Sequence, residues 1–317
     1  MRTRLLAAVA ASLALAASAH AASWTATPYT NVPGALYTQL SGLNDRGVLV
    51  VQTDRGNYID DHGVLTPYVW RDPANAGTLA DISNDGVLVG WGLGATGFVD
   101  DHGSLTTFTL PGATSLMVYG VSANGRYVSG VYQTSNDQHT QEGFVFDRST
   151  ATIREIIAPE GHYIDSVGGV NDSGTAVGLV TDYDYMSTSF LYDFATGSRR
   201  EVDAIGDLAG PLFASINDAG EIGGMALDAD LRFVGFIGTP GGSVSHIAAP
   251  PGEDFVIVTD LNDAGQAIGV VAGPDFNFPN VVVTRASAVP EPASALLLAC
   301  GLLATGVRAR RRRAATR

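Results

Sequence analysis

The chain has 317 residues, one cysteine and no lysine. A single thiol excludes an intrachain disulfide and a zinc site built from cysteines. That residue, Cys300, lies in an apolar segment near the C-terminus, which argues against a cysteine nucleophile. All eighteen basic residues are arginine: two in the first four residues, six beyond Val307. The stretch between holds ten arginines against thirty-one carboxylates, a net charge near −21. Such a surface repels nucleic acid and anionic lipid, and it tolerates cations, calcium first among those outside a cell. The body shows no convincing helix and no serine elbow, P-loop, dinucleotide fingerprint or HExxH pair. The resulting expectation is a protein that is not an enzyme, although paired carboxylates of the glycosidase kind have a spatial, not a linear, spacing.

An export signal is present. Arg2 and Arg4 form a basic start, Leu5 to Ala17 an apolar stretch, and Ala19-His20-Ala21 a small-residue cleavage site. Residues 1–21 are therefore expected to be a signal peptide. About 265 residues remain before the tail, enough for one sizeable core held by burial alone.

The body, residues 22–288, is a repeat. "LNDRGVLVV", "ISNDGVLVG", "VSANGRYVSG", "VNDSGTAVG", "INDAGEIGG" and "LNDAGQAIG" align on Gly47, Gly86, Gly125, Gly174, Gly220 and Gly265, with spacings of 39, 39, 49, 46 and 45. Asn and Asp side chains bond their own backbone in turns and glycine supplies φ > 0, so each copy is a hairpin. A small residue follows the turn glycine by four positions in five copies (Gly90, Ser129, Gly178, Gly224, Gly269), which suggests strands crowding a common axis. A second hairpin follows in most copies, as in "YIDDHGVLTPY" and "GFVDDHGSLTTF". Four strands per 40 to 50 residues, repeated radially, predicts an all-β chain folded as a six-bladed β-propeller. The sixth copy holds only three strands. The segment from Trp24 to Thr30 supplies the fourth, because a Pro-Gly step precedes the hairpin by eleven residues at Pro33, Pro111 and Pro251 alike. An N-terminal strand is thus expected to close the ring. The pattern I-N-D-x-G-x-x-V-G, followed by Gly-Phe, two hydrophobic residues and Asp, resembles the extracellular HAF-type repeat of bacterial secreted proteins. Blade one departs from it with Tyr58 and Ile59, and blade five with Gly238. The resemblance implies a propeller-like surface protein and names no activity.

Residues 289–317 form a separate tail. Ala293 to Val307 is an uncharged, mostly apolar run of fifteen residues, expected to be a short transmembrane helix. Arg308, Arg310, Arg311, Arg312 and Arg313 beyond it are a cytoplasmic stop by the positive-inside rule. Val289, Pro290, Glu291 and Pro292 precede it. This order resembles the PEP-CTERM sorting signal of Gram-negative bacteria. That resemblance implies export through the inner membrane, membrane contact through the tail, recognition and removal by an exosortase-type transpeptidase, and a final place in the envelope, surface or extracellular matrix of organisms that make exopolysaccharide and biofilm. A plain C-terminal anchor is the other reading of the same residues.

Candidate binding residues lie in loops. Asp182, Tyr183, Asp184 and Tyr185 alternate acid and ring, as a sugar platform with calcium would, and as an exposed strand also would. Trp91 and Tyr132 begin the equivalent loops of blades two and three, so with Tyr183 they form either an aromatic cluster on one face or rim packing. Residues 133–143 are the longest polar insertion. Asp60-Asp61-His62-Gly63 and Asp100-Asp101-His102-Gly103 read as tight turns or as metal or acid-base groups, with the two imidazoles expected well apart. No cofactor is required, and calcium is the one the charge allows. The expected function is a surface or matrix component that binds exopolysaccharide without catalysis; the alternative is a secreted carbohydrate-active enzyme on a propeller.

Overall fold

The computed structural model describes residues 24–70, 76–92, 94–273 and 279–285. The expected signal peptide and the whole tail, from Val289 to the arginines, lie outside the described residues. The chain divides into two units, Met1–Arg285 and Ala286–Arg317, and the first holds the fold.

That unit contains twenty-five strands among the described residues, β1 to β25 in chain order, arranged as six antiparallel sheets. It is a six-bladed all-β propeller. The innermost strand of each blade is β2 (Thr38–Leu43), β6 (Gly77–Ile82), β10 (Ser115–Val121), β14 (His162–Val170), β19 (Leu208–Ile216) and β23 (Phe255–Leu261). Four blades are four-stranded meanders. The fifth carries a further two-residue strand, Ala204–Ile205, which pairs with Leu208 and Ala209 and was not foreseen. In the sixth, the order is β1-β25-β24-β23. Strand β1 (Trp24–Pro28) pairs with β25 (Asn280–Arg285), from Trp24 opposite Arg285 to Pro28 opposite Val281. The N-terminal strand therefore closes the ring and gives the sixth blade its fourth, outer strand. Trp24 is buried there, beneath the Arg285 guanidinium 4.8 Å from its ring centroid.

The small residue of the second strand has a different cause from axial crowding. A Cβ on Gly90 would lie 2.0 Å from the Thr78 carbonyl oxygen and 2.6 Å from the Phe98 ring. Gly178 meets the Ser166 carbonyl and Phe190 in the same way. In blade three the equivalent position is Gly130, against Met117 and Phe144, so Ser129 is displaced by one residue. The pressure comes from a bulge in the adjacent inner strand on one side, as between Leu79 and Asp81, and from the phenylalanine of the Gly-Phe pair on the other. Those rings are the buried centres of the sheets: Phe98, Phe144, Phe190 and Phe236. Each contributes roughly 1.5–3 kcal/mol by leaving water.

The Asn-Asp pair of the repeat joins the blades as well as making the turns. Asn44 Oδ1 accepts the N–H groups of Arg46 and Val48, which holds its own hairpin. Its Nδ2 donates to the Ser83 carbonyl of the next blade at 3.1 Å. Asn171, Asn217 and Asn262 donate likewise to Asn217, Asn262 and Asn44. A second tier runs beside the first. The N–H of Asp172 donates to Asp218 Oδ1, that of Asp218 to Asp263, and that of Asp263 to Asp45, at 2.7–2.8 Å. The Asp45 N–H donates to Asn84 Oδ1, the Asn84 N–H to the Ala123 carbonyl and the Asn124 N–H to Asp172 Oδ1, so the circle is complete.

Candidate ligand-binding cavity

Because each blade is an antiparallel meander, connections from first to second strand and from third to fourth lie on one face of the disc, and those from second to third strand on the other. The first is called the turn face and the second the loop face. Every inner strand runs from the loop face to the turn face, so position along it is depth in the central channel.

Near the loop face the channel widens into a cavity of about 560 Å³. That lies within the range of small-molecule sites. Its wall comes from all six blades: Ser41, Ala80, Tyr119, Ser166, Ala214 and Thr259 from inner strands, with Gln52, Trp91, Leu179 and Met225 from second strands. Trp91 and Tyr119 lie 6.4 Å apart, tilted at 59°. Tyr37, half exposed, and Gln39 line it just before and within the first inner strand. Among the described residues no carboxylate, guanidinium or imidazole belongs to this lining. The nearest acid acts from outside it: burial first, and then Asp165, push the Tyr119 hydroxyl above its ordinary pKa, so it stays a donor at neutral pH.

Deeper along the same strands the channel narrows. A Cβ on Gly42 would fall 2.6 Å from the Asp81 Cα, one on Gly168 2.0 Å from the Ala214 carbonyl oxygen, and one on Gly169 2.9 Å from the Ser215 Cα. These contacts pack neighbouring inner strands edge to edge, blade one on blade two and blade four on blade five. What remains beneath is a space of about 40 Å³ among Asp81, Asp260 and the Asn-Asp ring. That volume takes water and nothing larger. Asp81 accepts the N–H groups of Ile82 and Val121. Asp260 accepts those of Leu43 and Leu261, and the Ser215 hydroxyl at 2.6 Å. Enclosure raises both carboxyls, Asp81 well above the usual carboxylate range, with the facing Asp260 as a further cause, and Asp260 to about 6.

The aromatic residues singled out from the sequence do not form one cluster. Trp91 lines the cavity. Tyr132 is buried, with its hydroxyl donating to Glu155 at 2.7 Å, so it packs within its blade and offers no surface. Burial and that acceptor hold its proton in place. Tyr183 and Tyr185 are exposed on the loop face beside Met186. The structure brings them to the long polar insertion of blade three: the His139 ring lies 4.4 Å from Tyr183 and 5.8 Å from Tyr163. Tyr185 holds a left-handed backbone at φ 65°, as Leu231 does at φ 60° in the matching loop of blade five. Asp182 caps its own loop, its Oδ1 accepting the N–H groups of Asp184 and Met186. Asp228 does the same in blade five. Asp182 is thus committed to the turn, and among the described residues no three His, Cys, Asp or Glu gather as a metal site.

Both DDHG segments are tight turns. His62 and His102 have φ of 53° and 52°. Asp60 and Asp100 accept the N–H groups of Gly63 and Gly103 and the hydroxyls of Tyr29 and Tyr68. Both imidazoles line one cleft of about 460 Å³ between blades one and two on the turn face. Each ring bonds its neighbouring aspartate, Asp61 at 2.7 Å and Asp101 at 2.9 Å.

No family model matches the chain, and no curated protein matches it. Solved structures do. A subtype N11 neuraminidase-like protein (A/flat-faced bat/Peru, H18N11) matches at TM-score 0.51 and 8% identity, covering 85% of this chain and 95% of its own. Puromycin hydrolase matches at 0.48 and 16%, covering 83% and 46%. Oligogalacturonate lyase in complex with manganese matches at 0.42 and 12%, covering 84% and 98%. The chain spans less than half the length of puromycin hydrolase and of a prolyl endopeptidase that also matches. At these identities the likeness shows the fold alone. The matching propeller chains include a hydrolase, an endopeptidase and a lyase, and the expectation of a chain that is not an enzyme is corrected because the absence of a linear motif cannot carry it. The physical reason is that a propeller assembles a site from separate blades, so a missing linear motif excludes no chemistry. Among the described residues no helix is long and apolar enough to cross a membrane.

Proposed function

We propose that this chain is an exported surface or matrix propeller that binds extracellular polysaccharide at its loop face, with the central cavity as the site. One observation carries the reading. In a body with a net charge near −21, this central cavity has no charged side chain in its lining among the described residues and combines aromatic faces with amide and hydroxyl groups. Sugar rings present apolar C–H faces to stack on aromatics and hydroxyls to pair with amides. Tyr183 and Tyr185 extend the same chemistry on the loop face outside the cavity. A neutral or weakly charged glycan suits this site, and calcium bridging is then unnecessary. The export signal and the PEP-CTERM-like tail support the location: carriage through the inner membrane of a Gram-negative bacterium, transient tethering by the tail, and processing by an exosortase-type transpeptidase.

The test is to incubate the purified propeller with the producing cell's own extracellular polysaccharide, fractionated by charge, and to measure both retention and new reducing ends. Retention by the neutral fraction, lost in Trp91→Ala, is the expected result. Release of reducing ends assigns a carbohydrate-active enzyme. No retention by any fraction refutes the proposal.

A further inference from the structure

We infer that the cavity receives the end of a glycan chain and not its interior; the inference rests on the polysaccharide reading above. A polymer bound along its length needs either an open groove across the face or a channel through the disc. The cavity is neither. Its wall is drawn from all six blades, so it is ringed on every side. Beneath it the channel narrows to a space of about 40 Å³ inside the closed Asn-Asp ring, lined by residues of all six blades, Asp81, Ser215 and Asp260 among them. Passage through the disc would require two tiers of inter-blade hydrogen bonds to part. The blind space of about 560 Å³ accommodates a terminal unit or two, with the rest of the chain leaving across the loop face. Trp91 and Tyr119 are placed to hold the terminal ring, and the exposed Tyr37 lies where the chain leaves.

Chain ends can be counted without knowing the sugar. The neutral fraction of the host polysaccharide is cut by mild acid to one-tenth of its mean length and compared with the uncut fraction at equal mass. End recognition predicts about a tenfold rise in the number of binding sites per gram, with unchanged affinity per site. Trp91→Ala, which removes one wall, and Ser166→Leu, which fills part of the space, should each abolish binding to both samples while Val64→Ser, on an outer strand, should not. A constant number of sites per gram overturns end recognition and leaves the polysaccharide reading standing. A tenfold rise that survives both cavity variants overturns the cavity as the receptor. Absence of binding to either sample overturns the polysaccharide reading and this inference with it.

Discussion

Raising the pH from 4.5 to 8 should weaken this propeller, and Asp260→Asn should remove part of the weakening. The carboxyl of Asp260 is enclosed in the channel and raised to about 6 from an ordinary 3.8, by desolvation first. The facing Asp81 is raised as well. For a raised carboxyl the folded state binds the proton more tightly than the unfolded chain. Its contribution is therefore fully present below pH 4 and is lost as the pH climbs through the folded value. A shift of about two units corresponds to about 3 kcal/mol for Asp260 alone, spent between pH 4 and about 7. Asp218, raised to about 7, and Asp263 act in the same direction, but water screens them. Asp147 opposes them only in acid, because Arg126 holds it far below the usual range and its contribution is complete above pH 4. The assay is urea unfolding at pH 4.5 and 8.0 at equal ionic strength. Asn cannot accept on both sides, so the variant carries a constant penalty at Leu43 or Ser215. The drop between the two pH values is free of that offset, and it should shrink by about 2 kcal/mol, the part of the total that is spent above pH 4.5. Self-repulsion of the acidic surface also grows with pH, but it is nearly the same in both proteins. A wild-type stability that rises from pH 4.5 to 8.0, or an equal drop in the variant, refutes the reasoning.

Three further outcomes are expected. Trp24→Ala, which empties a buried site and removes the ring under Arg285, should cost roughly 3–5 kcal/mol in urea unfolding; deleting residues 24–28 should cost more, because the last sheet loses its outer strand. Gly90→Ala puts a methyl 2.0 Å from the Thr78 carbonyl, so it should abolish soluble expression, whereas Gly56→Ala, with nothing within 4 Å, should cost only the strain of φ +122°. Mass spectrometry of protein from the native host should find a chain that begins near Ala22 and ends near Val289; a mass that includes Arg317 would make the tail a permanent anchor.

The elements were legible because they rest on local chemistry. Turn glycines at Gly47 through Gly265 all hold left-handed backbone, and alternating residues between them leave little choice but strands. Closure was legible because the sixth copy lacked a strand and the N-terminus had one spare. Of the cavity only Trp91 was legible, since Ser41, Ser166 and Thr259 are unremarkable in their own segments and meet only through the ring. Tyr132 and Tyr183 looked equivalent by loop position, yet Tyr132 still belongs to a strand, where side-chain direction alternates, and it faces Glu155 inside its blade. The Asn-Asp relay was hidden by its own success as a turn motif. Asn44 satisfies its hairpin with Oδ1, and only the ring shows that Nδ2 reaches Ser83. Recurrence of an amide or carboxylate at both positions of most copies was the available signal, because a turn alone needs just one of them.

The two faces of the disc are under different constraints, and this bears on where a ligand can act. On the turn face each blade must present the same donors and acceptors to its neighbour, or the relay breaks. Blade two, with Ser83 in place of asparagine, reaches blade three instead by the Asn84 N–H to the Ala123 carbonyl and by Asp81, which accepts the Val121 N–H. The inner part of that face is committed to holding the ring. Toward the loop face the blades are joined from their third strands, by Asn57 to Gly77, Gln141 to Ile164, Ser189 to Pro211 and Asn280 to Thr38, and the second-to-third connections themselves vary. They run from two residues at 54–55 to seven at 134–140, with four at 183–186 and five at 228–232. Exposed Tyr183, Tyr185, Met186, Leu231 and Phe233 lie in or beside those loops. Exposed apolar side chains on left-handed backbone are costly to keep, and two blades keep them at Tyr185 and Leu231. Closure does not require them, so the loop face, where the uncharged cavity also opens, is the surface left for recognition.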